Sequence, residues 1–349
     1  MSNTLVSPDS RPRTDRRPQG TSLAGLVGVE LRRLWWRRLT KVAVVAVVLF
    51  TGASVYNAYS QSSPERIAQQ LDEYRILQQQ APRIAEECRQ QQAVERDRSG
   101  DQSIDFGCDE QGQTPTLEQM GLALPVADTI TDGIARTSSL LLAFVALLLG
   151  ASFVGAEFST GSMGLWLTFQ PRRLRVASTK LVAAAVGGAA VAVLCLVLTN
   201  LGARMVAVVN RPGSDLDLPP VPALGEPLVV LGLRIVALAL GAGIVGAALG
   251  LVLRHTAAVV GVVLGFAVVV EGIVMQAFLQ GRLQRWSVLK NIEAFIERGT
   301  SYFAETCGPT SCEFTQQTLS YTHGWVFLSS VLLLVVLVGL VAFRRRDVT

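Results

Sequence analysis

The chain reads as an all-α polytopic membrane protein with six transmembrane helices, and three observations carry that reading. Half of its 349 residues are hydrophobic and 17% are charged, with a mean hydropathy of +0.39, far from the balance of a soluble domain. Six apolar runs approach or exceed the roughly 20 residues that cross a hydrocarbon core about 30 Å thick at about 1.5 Å per residue. Arginines crowd the ends of those runs on one side of a six-span arrangement, as segments retained in the cytoplasm do.

Residues 1–22, rich in Ser, Pro and Arg, lack apolar periodicity and read as a disordered cytoplasmic tail. In residues 23–40, Leu23, Leu26, Val27, Leu31, Leu34 and Trp35 recur at helical spacing opposite arginines, which predicts an amphipathic helix lying in the lipid headgroup layer. About 40 polar residues before the first apolar run are too many for a cleaved signal peptide, so that run is expected to stay. The spans fall at 41–60, 138–157, 181–209, 228–253, 256–279 and 325–343, with a cytoplasmic tail at 344–349. Arg32, Arg33, Arg37 and Arg38 precede span one, Arg172, Arg173, Arg175 and Lys180 separate spans two and three, and Arg344, Arg345 and Arg346 follow span six. Both termini are therefore expected in the cytoplasm.

Three segments are expected outside. Residues 61–137 carry about twice as many acids as bases and open on Ser63-Pro64, a good helix start, into a Gln-rich helix that Pro82 is expected to kink or interrupt. Residues 210–227 form a proline-rich loop, and in residues 280–324 Trp286, Leu289, Ile292 and Ile296 mark a short surface helix stopped at Gly299. Four of the five cysteines lie in these segments. Cys88 with Cys108 and Cys307 with Cys312 is the economical pairing of the three possible. No histidine accompanies them and their spacing is not that of a zinc site, so no metal is expected.

Chemistry-bearing patterns are few. Gly241 to Gly246 satisfies G-x-G-x-x-G but lies inside span four, without the strand that a dinucleotide fold requires. Ser287 and Lys290 satisfy S-x-x-K without the companion motifs of that serine chemistry. The pairs Gly246/Gly250 and Gly261/Gly265 read instead as faces for close helix packing in lipid. No P-loop is present, so any ATP energy must come from another chain. Basic residues sit at membrane boundaries and not on one folded face, which argues against nucleic acid as a partner. Within the spans, Arg234 and Glu271 lie about 9 to 12 Å below the outer surface by helical rise, matched in depth. They read as a cross-helix ion pair or as polar groups lining a translocation pathway.

The polar interval between spans two and three is the most ordered motif: Glu157, Gly161-Ser162, Leu165, Leu167, Pro171-Arg172-Arg173 and Lys180. It resembles the E-x3-G-[ST]…L…P-x-R…K signature of type-2 ABC transporter permeases, most sharply over residues 150–181. The resemblance implies that residues 158–180 form a cytoplasmic coupling helix docking on an ATPase. Glu157, Gly161, Ser162, Trp166, Leu167, Phe169, Pro171, Arg172 and Arg173 would form that coupling interface. It also implies two copies of a separately encoded P-loop ATPase that holds ATP and Mg²⁺, a second permease copy (itself or a close paralogue), and no catalytic residue or cofactor in this chain.

The reading is of a permease, an exporter of a hydrophobic or amphipathic substrate, multi-pass in a bacterial cell membrane. The use of 28 Arg against 3 Lys points the same way, toward a high-GC bacterial genome. The rival is a non-transporting membrane sensor or anchor whose outside segment binds a partner.

Overall fold

The computed structural model describes residues 23–114, 116–117, 120, 126–169, 172–211, 224–278, 281–307 and 312–345; within them the side chains of Gln111, Trp166, Leu167, Phe169, Gln276, Ala277, Phe278, Thr306 and Cys307 lie outside the description. Among the described residues six helices are long and apolar enough to cross a membrane. They are α2 (Arg38–Gln61), α5 (Ala127–Ser159), α7 (Arg173–Val209), α8 (Leu228–Leu253), the fifth span beginning with α9 (Thr256–Gly265), and α11 (Tyr321–Arg345). The protein is an all-α, multi-pass membrane protein with one small β-hairpin.

α5, α7 and α8 pack most extensively on one another and make the core. Small residues explain the closeness: a Cβ on Gly246 would collide with the Leu147 carbonyl, and one on Gly150 with the Gly243 carbonyl. Without a hydrophobic drive between helices in lipid, such backbone approach supplies the packing energy. Gly261 and Gly265, the same motif on span five, meet nothing within 4 Å. Span five is accordingly peripheral, with 11% of its most apolar window buried against 61% for α5. Beyond Gly265 it continues as a π-helix over Phe266–Phe278, an unusually long run of a geometry that ordinarily appears as single turns.

Before the spans lies α1 (Leu23–Trp36), whose Leu26 and Leu34 are buried while Trp35 and Trp36 are exposed. Between α2 and α5, α3 (Pro64–Ser99) runs 36 residues without interruption. Pro82 is accommodated inside it, so the helix is not interrupted there. α4 (Cys108–Gln111) folds back on α3 and is joined to it by the Cys88–Cys108 disulfide.

The segment before α11 departs most from expectation. Its helix, α10 (Val288–Glu297), is followed by strands β1 (Gly299–Cys307) and β2 (Cys312–Ser320), an antiparallel hairpin that the sequence reading did not anticipate. Cys312 is disulfide-bonded and stands opposite Cys307 in the ladder. α10 ends not on Gly299 but on Arg298, which takes the left-handed conformation at φ 62°. The bundle therefore has two ends: the α6 end, where α5 turns toward α7, and the hairpin end.

Candidate functional site: a coupling turn, a charge cluster and a cavity

At the α6 end, α5 stops at Ser159 and the chain reverses through Gly161, whose φ of 69° is reached cheaply only by glycine. α6 (Ser162–Phe169) follows, presenting Leu165 outward at 63% exposure and burying Met163 completely. Ser162 donates its hydroxyl back to the Glu157 carbonyl at 3.4 Å, closing the turn. Arg172 caps the start of α7 and is exposed; Arg173 is half-buried. Pro171 and the side chains of Trp166, Leu167 and Phe169 lie outside the described residues.

Behind this turn sits a buried charge cluster. Lys180 of α7, fully buried, donates a hydrogen bond to Glu30 of α1 at 3.0 Å and contacts Glu157 Oε2 of α5 at 2.6 Å. Arg37, in the link from α1 to α2, reaches Glu157 Oε1 at 3.4 Å and donates to the Ser152 carbonyl at 2.8 Å. Arg33 approaches the same carboxylate at 3.9 Å. The Phe153 ring lies 5.0 Å from the Arg37 guanidinium and 5.1 Å from the Lys180 ammonium, adding a cation–π share. Burial holds the Arg37 guanidinium below its usual range, although Glu157 and Glu30 work to raise it. Removing one partner of such a pair strands the other charge, a loss of about 3–5 kcal/mol.

The cluster changes the role of one signature residue. Glu157 is 4% exposed and faces inward, so it ties α5 to α7 and α1 and is not a surface contact for a partner.

At the hairpin end, Arg234 and Glu271 do not pair with each other. Arg234 of α8 donates to the carbonyls of Phe295 at 2.9 Å and Ile296 at 2.5 Å, and its other nitrogen bonds Glu226. Arg136 of α5 joins there, 2.8 Å from Asp132, 3.1 Å from Glu226 and 2.6 Å from Glu297. Glu271, in the π-helix, accepts from the Ser287 hydroxyl and from the Val288 backbone N–H at 2.6 Å. A cation thus sits at the C-terminus of α10 and an anion at its N-terminus, each where the helix dipole favours it. The two residues singled out from sequence therefore brace opposite ends of α10 and do not bond to each other.

Between α5, α8, span five, α10 and α11 lies a cavity of about 960 Å³. Its wall is mostly apolar, with Leu140, Leu147, Leu238 and Leu332 among aromatic side chains; Glu271 lines it and Arg234 does not. Among the described residues no group of His, Cys, Asp or Glu is arranged to hold a metal.

Residues 26–348 match the family model described as ABC-2 family transporter protein. The chain belongs to that family. No curated protein matches it. An ABC-2 family member is the membrane-embedded permease of an ABC transporter, a class that works with an ATPase subunit and is not ordinarily catalytic itself. In this ABC-2 transporter the signature residues divide into two sets: Glu157 and Lys180 are buried together with Glu30, whereas Leu165 and Arg172 remain on the surface. The sequence reading missed Glu30, and the signal available was slight: a lone acid on the arginine-rich α1, buried to 2% exposure.

Proposed function

We propose that this chain is the permease subunit of an ATP-driven exporter, paired with a separately encoded ATPase, two copies of each, and that α6 receives the ATPase's motion. The observation that carries the reading is the Glu30–Lys180–Glu157 cluster immediately behind α6. It links α1, α5 and α7 by buried charges, so a push on the turn moves three helices together instead of bending one loop. On this reading the α6 end and both termini face the cytoplasm of a bacterial cell, lipid surrounds the spans, and ATP with Mg²⁺ resides wholly in the partner. The cavity, 960 Å³ and predominantly apolar, supports a hydrophobic or amphipathic substrate. The exposed Leu165 and Arg172 supply an apolar contact and a charge for docking.

The test is co-purification with the ATPase expressed from the neighbouring gene, then ATP hydrolysis by the reconstituted pair. Reversing charge at Arg172 and Arg173 is expected to lower both association and hydrolysis by at least tenfold while the chain still folds. If no P-loop ATPase binds, or if association survives the reversals together with truncation of Trp166, the permease reading fails and the sensor or anchor reading takes its place.

A further inference from the structure

Among the described residues the buried carboxylate at the cavity wall has no cation. Both Glu271 oxygens accept hydrogen bonds, one from the Ser287 hydroxyl and one from the Val288 N–H. Yet among the described residues it forms no ion pair. The nearby ammonium, Lys290, is committed to Glu293 at 2.8 Å, and the guanidinium groups of Arg136 and Arg234 are engaged at the opposite end of α10. Acids within a membrane span are costly enough to be paired or to face a cavity, and the residue itself is 4% exposed. The other buried acids among the described residues are paired: Glu30, Glu157 and Glu226 each contact Lys or Arg.

The cavity supplies a place for the missing charge. Phe50, Phe144, Phe266, Phe295, Tyr321 and Trp325 line it, and Glu271 is the one charged lining residue among the described residues. Aromatic faces attract cations and repel anions. A carboxylate offers about four acceptor sites, and two here are taken.

We propose that the cavity binds a lipophilic cation, its apolar body against the aromatic wall and its positive centre beside Glu271. An anionic or zwitterionic amphipath would place negative charge against an uncompensated carboxylate. The occupant would thus be the cation that Glu271 lacks among the described residues. As a statement about substrate the inference rests on the permease reading; as a statement about binding it does not.

The experiment therefore uses the full chain alone in lipid nanodiscs, with tetraphenylphosphonium and tetraphenylborate, probes of one shape and opposite charge, each corrected for partition into empty nanodiscs. The expected result is binding of tetraphenylphosphonium at least tenfold tighter than of tetraphenylborate. Glu271→Gln, which keeps acceptor and shape, should abolish the preference. Gly241→Leu should weaken both probes, because Gly241 lines the cavity and a Cβ there meets only Leu332, at 3.9 Å. Equal binding of the two probes, tighter binding of the borate, or a preference that survives Glu271→Gln overturns the proposal. Failure of the permease reading shows separately, as saturable cation binding by a chain to which no ATPase associates.

Discussion

The two ends of the bundle use buried charge differently. At the α6 end, opposite charges from three helices meet in one cluster around Lys180, and two of those helices, α5 and α7, belong to the most extensively packed trio. At the hairpin end the charges also brace a short helix: Arg234 and Arg136, both paired with Glu226, hold the C-terminus of α10, and Glu271 its N-terminus. Glu271 comes from a π-helical span that touches the core sparingly. The contrast teaches where motion is cheap. A cluster shared among helices moves them as one body, whereas a helix held by its termini is released by breaking two or three bonds at either end.

The largest effect should come from breaking the shared cluster. Lys180→Met leaves Glu30 and Glu157 buried without their common cation and is expected to cost about 3–5 kcal/mol. The loss should appear as a lowered melting temperature in detergent and as protease sensitivity of α1. Adding Glu30→Gln should recover part of the loss, because it removes one stranded charge. If Lys180→Met alone melts like the parent, the α6 end is not the rigid body described above.

A smaller and sharper comparison uses one motif in two places. Gly246→Leu drives a side chain into the Leu147 carbonyl of α5 and is expected to destabilise by about 1–3 kcal/mol or more. Gly261→Leu on span five has open space around its Cβ and should change the stability of the single chain by less than about 0.5 kcal/mol. Thermal unfolding at low protein density in detergent measures both. Equal losses would mean that span five packs against a second copy, and crosslinking of the two variants would then separate intra-chain from inter-chain contact.

How much of this was legible in the sequence follows from the range of the interactions. The spans could be read because apolar length is a local property, and their ends moved outward mainly where polar turns of α5 and α7 continue the helix: Ala127–Ser159 against 138–157, and Arg173–Val209 against 181–209. Glu157 and Lys180 were visible as motif letters. That they meet in a buried cluster depends on Glu30, more than a hundred residues earlier on another helix. Arg234 and Glu271 stand out for their cost in lipid, but their partners are Glu226, Ser287 and backbone groups of α10, a set that carries no sequence signature. The hairpin has sequence signals in its β-formers Tyr302, Phe303, Phe314, Thr315 and Thr318 and in the dipeptide Gly308-Pro309 between two cysteines, but they are weaker than the amphipathic stripe of α10 beside them.

The mildest test reaches the loose end through pH. Partial burial pushes the Glu293 carboxyl up, but hydrogen bonds from Lys290 and Thr300 and the charge of Lys290 outweigh it and hold the group below its ordinary value. Thr300 opens β1, so this carboxylate pins the hairpin to α10. A depressed folded-state value means that the stabilisation is fully present above the unfolded-chain value, about 4.3, and is lost as pH falls through the lower folded value. Backbone hydrogen exchange at the junction of α10 and β1 should therefore accelerate as pH drops below the unfolded-chain value, after correction for intrinsic rates. Glu293→Gln should exchange at an already raised rate that changes less over the same interval. The core of α5, α7 and α8 should stay protected throughout, because it is the most extensively packed part of the molecule, and simultaneous opening of both ends would erase the contrast between them.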